Sequence, residues 1–142
     1  MNSPPQRLSI LEALMRFTMG VLRSRPHVLV WLLLLTLANG IAPLLFLARL
    51  EAQVVLATFL LSVVLMTWLT ARYGFTRILG LGHVLWVPMV IFLLVRANAL
   101  EMDAYGIWVG TVVVLDVISL MIDVRDAMLY MRGDRDEVVK GL

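Results

Sequence analysis

Four runs of apolar residues, at about 27–47, 52–71, 78–96 and 104–124, set the plan of the chain. A bilayer core about 30 Å thick is crossed by roughly 20 residues of helix, which is the length of each run. The connections at 48–51, 72–77 and 97–103 are short, and short connections make consecutive helices antiparallel neighbours. The pattern therefore predicts an all-α membrane protein with four transmembrane helices in an up-down bundle.

A further helix is expected before the first run. Ser9 followed by Glu12 fits a capping box, in which each side chain satisfies a free amide of the other's backbone. That helix should run to about Arg25, because Pro26 disfavours helical geometry in the residue before it. Leu11, Leu14, Met15, Thr18, Val21 and Leu22 form one apolar side, while Glu12, Arg16 and Arg23 fall mostly elsewhere. Such a helix suits the headgroup region as an amphipathic interfacial element; packing on the bundle or on a partner is the equal alternative. Residues 1–7, with Pro4 and Pro5, are expected to form a mobile tail. The leader before Val28–Leu37 is too long for a signal peptide and apolar sequence resumes at Leu44, so the first span is expected to stay uncleaved.

Inside the spans, two prolines should disturb the helices. Pro43 cannot donate to the carbonyl of Asn39, so the first span should kink or open there, and Pro88 should bend the third. The fourth run meets no helix breaker before Arg132, and Gly133 is a suitable stop. The resulting organisation is a tail and amphipathic helix at 1–26, a transmembrane domain at 27–124, and a helical extension with a charged tail at 125–142.

Composition agrees with this plan. The 142 residues are 61% hydrophobic and 15% charged, with a mean hydropathy of +0.93, whereas soluble domains are nearer half apolar and a quarter charged. The chain holds no cysteine, which excludes disulfides, thiolate metal sites and thiol redox chemistry. The net charge of +2 is small and spread through the loops, so no nucleic-acid partner is expected. Its distribution is informative nonetheless. Arg7, Arg16, Arg23, Arg25, Arg72, Arg77, Arg125, Arg132, Arg135 and Lys140 fall on one side of the expected topology, against Arg49 and Arg96 on the other. The positive-inside rule then places both termini in the cytoplasm of a bacterial-type inner membrane.

Candidate chemistry lies in the polar residues at membrane depth. Asp116 falls near the midplane of the fourth span, and Asp123 lies two turns further along the same face. Asn39 comes at nearly the depth of Asp116, and His83 between the levels of the two aspartates. Asn39, His83, Asp116, Ser119 and Asp123 are therefore expected to converge in one polar pocket, with Arg72, Arg77 and Arg125 as interface charge partners. A central Asp disfavours insertion by about 2.5–3.5 kcal/mol, while the Ile, Val and Leu residues between Ile107 and Ile122 return roughly 3–6 kcal/mol. The helix can insert, with Asp116 protonated or hydrogen-bonded rather than a bare anion. Two readings follow: a proton or cation site, or interhelical glue in which Asp116 binds Asn39 or Ser62 and Asp123 binds an arginine.

No closely spaced ligand pair supports a metal, no cofactor signature appears, and no nucleophile–base pairing supports an enzyme. The function expected is that of an accessory or interaction subunit, working through self-association or a larger membrane partner in the lipid bilayer. The alternative is an oligomeric proton- or cation-coupled transporter with Asp116 as its coupling carboxylate.

Overall fold

The computed structural model describes residues 8–142. The tail expected at 1–7 lies outside the described residues. Among those described, the chain is all-helical with no strand: α1 (Ile10–Leu22), α2 (Pro26–Thr36), α3 (Leu50–Tyr73), α4 (Trp86–Ala97) and α5 (Ala104–Met131). Short 3-10 and π segments extend α2 and precede α4. Four stretches are long and apolar enough to cross a membrane: Pro26–Phe46, Leu50–Tyr73, Arg77–Ala97 and Ala104–Met131.

The start of α1 is the capping box that its sequence predicts. Glu12 N donates to Ser9 Oγ at 3.2 Å, and Ser9 N donates to Glu12 Oε2 at 2.8 Å. Hydrogen bonds from Ser9, side chain first and backbone second, hold the Glu12 carboxyl below its usual range. The helix buries Ala13 and Gly20 and packs on α3 and Phe75. Ile10, Leu11, Met15 and Leu22 stay exposed.

Pro43 remodels the first span in two steps. Residues Leu37–Ile41 widen into a π turn and Ala42–Phe46 tighten into a 3-10 turn. In the wide turn, Ala42 N donates to Leu37 O. The next bond in that register would pair Ala38 O with the nitrogen of Pro43, which has no hydrogen. Trp108 of α5 supplies the missing donor, its Nε1 reaching Ala38 O at 3.0 Å. A backbone defect in one span is thus closed by a side chain of another, as a low-dielectric interior requires.

The third span breaks rather than bends. Arg77–His83 is a 3-10 helix, and α4 begins only at Trp86, so Pro88 sits in its first turn. Without an N–H at Pro88, the carbonyl of Val84 accepts instead from Val87 N at 3.3 Å. The disturbance falls before the proline because Pro88 is tolerated in a first turn and its missing bond lies behind it. Gly80 permits this segment to lie against α5: a Cβ there would meet Asp123 O at 3.1 Å and Asp123 Cα at 3.2 Å.

The helix ends are equally local in origin. Gly74 ends α3 at φ +73°. The end of α5 is a Schellman motif around Gly133 (φ +109°), with Gly133 N donating to Tyr130 O and Asp134 N to Leu129 O, both at 3.1 Å. The core gathers Leu35, Val55, Trp86, Leu93, Val109 and Val112 between the spans.

Two sets of contacts mark the two ends of the bundle. At one, Arg16 Nη2 pairs with Glu137 Oε1 at 2.5 Å, Val138 N donates to Phe75 O at 2.9 Å, and Phe17 packs on Phe75. Helix α1, the Gly74 turn and the C-terminal tail therefore meet there. At the other, Glu51 pairs with Arg96 and accepts from Tyr105 Oη at 2.6 Å, while the Arg49 guanidinium lies 4.8 Å from the centre of the Tyr105 ring.

Candidate functional site

Asp116, Ser119, Asp123 and Asp126 of α5 lie at helical spacing, and the three carboxylates meet different partners. Asp116 is fully buried beside Asn39, also fully buried. Asn39 Nδ2 donates to Asp116 Oδ1 at 2.9 Å and, more weakly, to Leu35 O at 3.2 Å. The π turn that Pro43 imposes contains Asn39, so the proline shapes the segment from which the amide meets α5. Ser119 is buried one turn further along α5. Another turn on, Asp123 Oδ2 lies 2.8 Å from His83 Nδ1.

His83 closes the 3-10 segment whose glycine lies on the α5 backbone, and that close approach brings its ring to Asp123. The ring also packs on Trp86, with centroids 4.0 Å apart. Asp126 continues the series and accepts from Arg77 Nη1 at 2.8 Å, while Arg77 Nε donates to Asp134 Oδ2 at 2.7 Å. From the bundle's middle to the end carrying the C-terminal tail, α5 therefore presents Asp116, Ser119, Asp123 and Asp126 at helical spacing.

Of the residues expected to converge, Asn39–Asp116 and His83–Asp123 form two hydrogen-bonded pairs, with Ser119 between their levels on α5. Asp123 is held by the histidine, and Arg77 is committed to Asp126 and Asp134. Arg72 lies over Trp68, its guanidinium carbon 4.9 Å from the ring centre, and Arg125 is exposed. Ser62, weighed above as a partner for Asp116, makes no hydrogen bond among the described residues although it is buried.

Four buried polar atoms near these pairs have no partner among the described residues: Asn39 Oδ1, Asp116 Oδ2, Ser62 Oγ and Trp86 Nε1. Each is costly at such depth, since an unsatisfied buried polar atom forfeits about 1–3 kcal/mol. Asn39 Oδ1 and a deprotonated Asp116 Oδ2 are both acceptors, so the pair lacks a donor, and a proton on Asp116 is the smallest group that supplies one. Among the described residues, no three His, Asp or Glu side chains gather closely enough to hold a metal ion.

Above Asp116, towards the Glu51 end, the polar series stops. Phe46, Tyr105 and Trp108 pack together there, with Phe46 5.2 Å from Tyr105 and 5.3 Å from Trp108 between ring centres. Beyond this aromatic layer comes the Glu51–Arg96–Tyr105 cluster, with Glu51 buried and Arg96 half in solvent.

Sequence reasoning missed that cluster because Glu51 was read as a loop residue. The available signal was an acidic residue at the start of one span and a basic residue at the end of another, at the same end of the bundle. It also missed Trp108 as a donor to the Ala38 carbonyl, which needed the register of the π turn.

Comparison with known proteins returns no matching protein family, no matching curated protein and no matching solved structure.

Proposed function

We propose that this multi-pass membrane protein is an accessory or interaction subunit, working through self-association or a larger membrane partner and without catalysis of its own. The observation that carries the reading is the tying of the α5 carboxylates to other spans. Asp116, Asp123 and Asp126 of α5 bond to Asn39, His83 and Arg77 from other spans, and the series ends at the Phe46–Tyr105–Trp108 layer. In this reading the interior serves as an anchoring core, and the outward apolar faces are left to meet lipid and partner.

In this reading the spans form an up-down bundle in a bacterial-type inner membrane. The joining of α1, the Gly74 turn and the C-terminal tail at one end supports the alternation, and the arginine distribution supports cytoplasmic termini. Residues 27–124 are the membrane domain and 125–142 its cytoplasmic extension. Residues 1–26 include α1 as an amphipathic interfacial helix, with Ile10, Leu11 and Met15 directed to the headgroup region.

Gentle solubilisation into lipid-retaining discs, followed by native mass spectrometry, tests this. A homo-oligomer or a stoichiometric partner is expected, and a monomer without companions overturns the proposal.

One observation favours a second reading, a proton- or cation-coupled transporter. Asp116 Oδ2 and Asn39 Oδ1 are buried acceptors with no donor among the described residues, the arrangement of a site that takes up a proton. Proton flux in liposomes carrying wild type or Asp116→Asn decides it. Loss of a pH-driven flux in the variant supports the transporter, and equal flux removes it.

A further inference from the structure

The chain beyond Gly133 has no helix or strand, yet it is tied down across one end of the bundle. Arg77 Nε, from the third span, donates to Asp134 Oδ2 at 2.7 Å. Arg16 Nη2 of α1 pairs with Glu137 Oε1 at 2.5 Å. Val138 N donates to Phe75 O at 2.9 Å, and Arg23 Nη1 donates to Gly141 O at 3.2 Å. Glu137 also lies close on the turn after α3, since a Cβ on Gly74 would stand 2.8 Å from Glu137 Oε1.

Two of the three arginines in this set belong to α1. Arg16 and Arg23 are seven residues apart, so they leave one side of the helix about 10 Å from each other. The helix otherwise rests on small seats. Ala13 and Gly20 are its buried residues, and Phe75 lies so near Gly20 that a Cβ there would strike its ring. The tail therefore straps α1 to the bundle through the two cations of that helix.

The bonds of the strap are of a kind that exchanges. The Arg16 and Glu137 side chains keep 30% and 29% of their surface in solvent, and exposed ion pairs are weak and screened by salt. The acceptor that the tail offers Arg23 is a neutral carbonyl. Guanidinium groups form stronger, two-pronged bonds with phosphate oxygens. Phosphate is also the anion that a bilayer presents at the level of an interfacial helix, and anionic lipid draws basic segments to its surface. A zwitterionic headgroup carries its own cation beside the phosphate and competes less.

We propose that Arg16 and Arg23 form a site for the phosphate of an anionic phospholipid, which the tail occupies when such lipid is absent. Anionic headgroups displace Glu137 and Gly141 from the two arginines, the strap opens, and α1 is released onto the membrane surface. This rests on the interfacial placement of α1 given above.

Amide exchange at Val138, whose N–H is bonded while the strap is closed, reads the strap in lipid nanodiscs. In phosphatidylcholine the wild type is expected to exchange about three- to tenfold more slowly than Glu137→Ala, the opening that follows the loss of one or two exposed ion pairs. In phosphatidylglycerol, where lipid opens both proteins, the two should exchange equally fast. Comparing two proteins within one lipid cancels the effect of surface potential on exchange. A wild type that stays slower than the variant by the same factor in both lipids overturns the proposal. So does a wild type no slower than the variant in phosphatidylcholine.

Inorganic phosphate added to phosphatidylcholine discs, against chloride of equal ionic strength, should leave the strap closed. Opening as complete as in phosphatidylglycerol would overturn the assignment to lipid. Native mass spectrometry reads the ligand itself: the wild type should retain phosphatidylglycerol and the double variant Arg16→Gln, Arg23→Gln should lose it, while equal retention refutes the site. The placement of α1 is read separately from a spin label at Leu11→Cys, the chain having no cysteine of its own. A label in bulk water in both lipids refutes the interfacial helix and the release of α1 with it. A label among headgroups beside a strap that stays closed in phosphatidylglycerol refutes the strap alone.

Discussion

Replacing Asp116 with leucine should push two free energies in opposite directions. The substitution removes the acceptor that Asn39 Nδ2 reaches at 2.9 Å. Asn39 keeps its weaker bond to Leu35 O at 3.2 Å, so the amide is not orphaned. Interhelical hydrogen bonds within membranes are worth about 0.6 kcal/mol on average and up to about 1.7 kcal/mol. Full burial and a single clear partner place this pair toward the upper part of that range.

Insertion of α5 itself should improve by roughly 3–4 kcal/mol, from a central Asp at about +2.5 to +3.5 to a Leu near −0.6 to −0.3. The leucine variant is thus expected to insert better and to associate its helices less well. Unfolding in mixed micelles, where the spans remain inserted, isolates the second term. A double-mutant cycle of Asp116→Leu with Asn39→Leu should give a coupling of about 0.6–1.7 kcal/mol. Asp116→Asn retains an oxygen acceptor and should keep most of the wild-type stability. A coupling below about 0.3 kcal/mol, the scatter of independent sites, would refute the claim that this bond joins the first and fourth spans.

Three other substitutions probe the neighbouring elements. Gly80→Ala puts a methyl group 3.1 Å from Asp123 O; because the obstacle is helix backbone, stability should fall by about 1–3 kcal/mol, and unchanged melting in detergent would show that the segment yields. Glu51→Gln removes the charge beside Arg96 and Tyr105; the loss should be about 1 kcal/mol, because Arg96 can turn to solvent, and a larger loss in chemical unfolding would mean that the cluster is drier than its geometry implies. Ser9→Ala should loosen α1 by ~1 kcal/mol, read as faster amide exchange at residues 10–13. In wild type the bonds from Ser9 lower the Glu12 pKa, so their contribution is complete above the usual carboxylate range and fades as pH drops through the lowered value; exchange at α1 that does not quicken in acid would contradict this.

The parts of the fold legible in the sequence are those fixed by local chemistry. The apolar runs, the Ser9–Glu12 box, the glycine ends at Gly74 and Gly133, and the disturbance around Pro43 each depend on a few adjacent residues. The Asn39–Asp116 contact was also within reach, because helical rise converts sequence position into depth and the two fall at one level. Rotation about the helix axis was harder. Asp123 had several arginines at its depth, and its actual partner, His83, comes from a segment that is 3-10 rather than α. A 3-10 helix rises about 2.0 Å per residue, against 1.5 Å for an α-helix, and turns its side chains through a different angle. Depth and direction estimated on an α-helix therefore both drift over the seven residues from Arg77 to His83.

The same irregularity connects the two halves of the polar face. Pro43 and Pro88 each leave a carbonyl that their own span cannot serve in the usual register, and the two are resolved differently. In the first span, Trp108 from α5 closes the defect at Ala38, locking the span to the helix that carries Asp116. In the third, the chain accepts a tighter turn and leans on α5 through Gly80, which sets His83 against Asp123. Both devices make α5 the common reference for the other spans. A straight helix in either place would need a different rotation to present Asn39 or His83 to the same face. The prolines are therefore best understood as positioning elements for the two polar pairs, and Pro43→Ala should weaken the Asn39–Asp116 coupling even where it strengthens the helix that contains it.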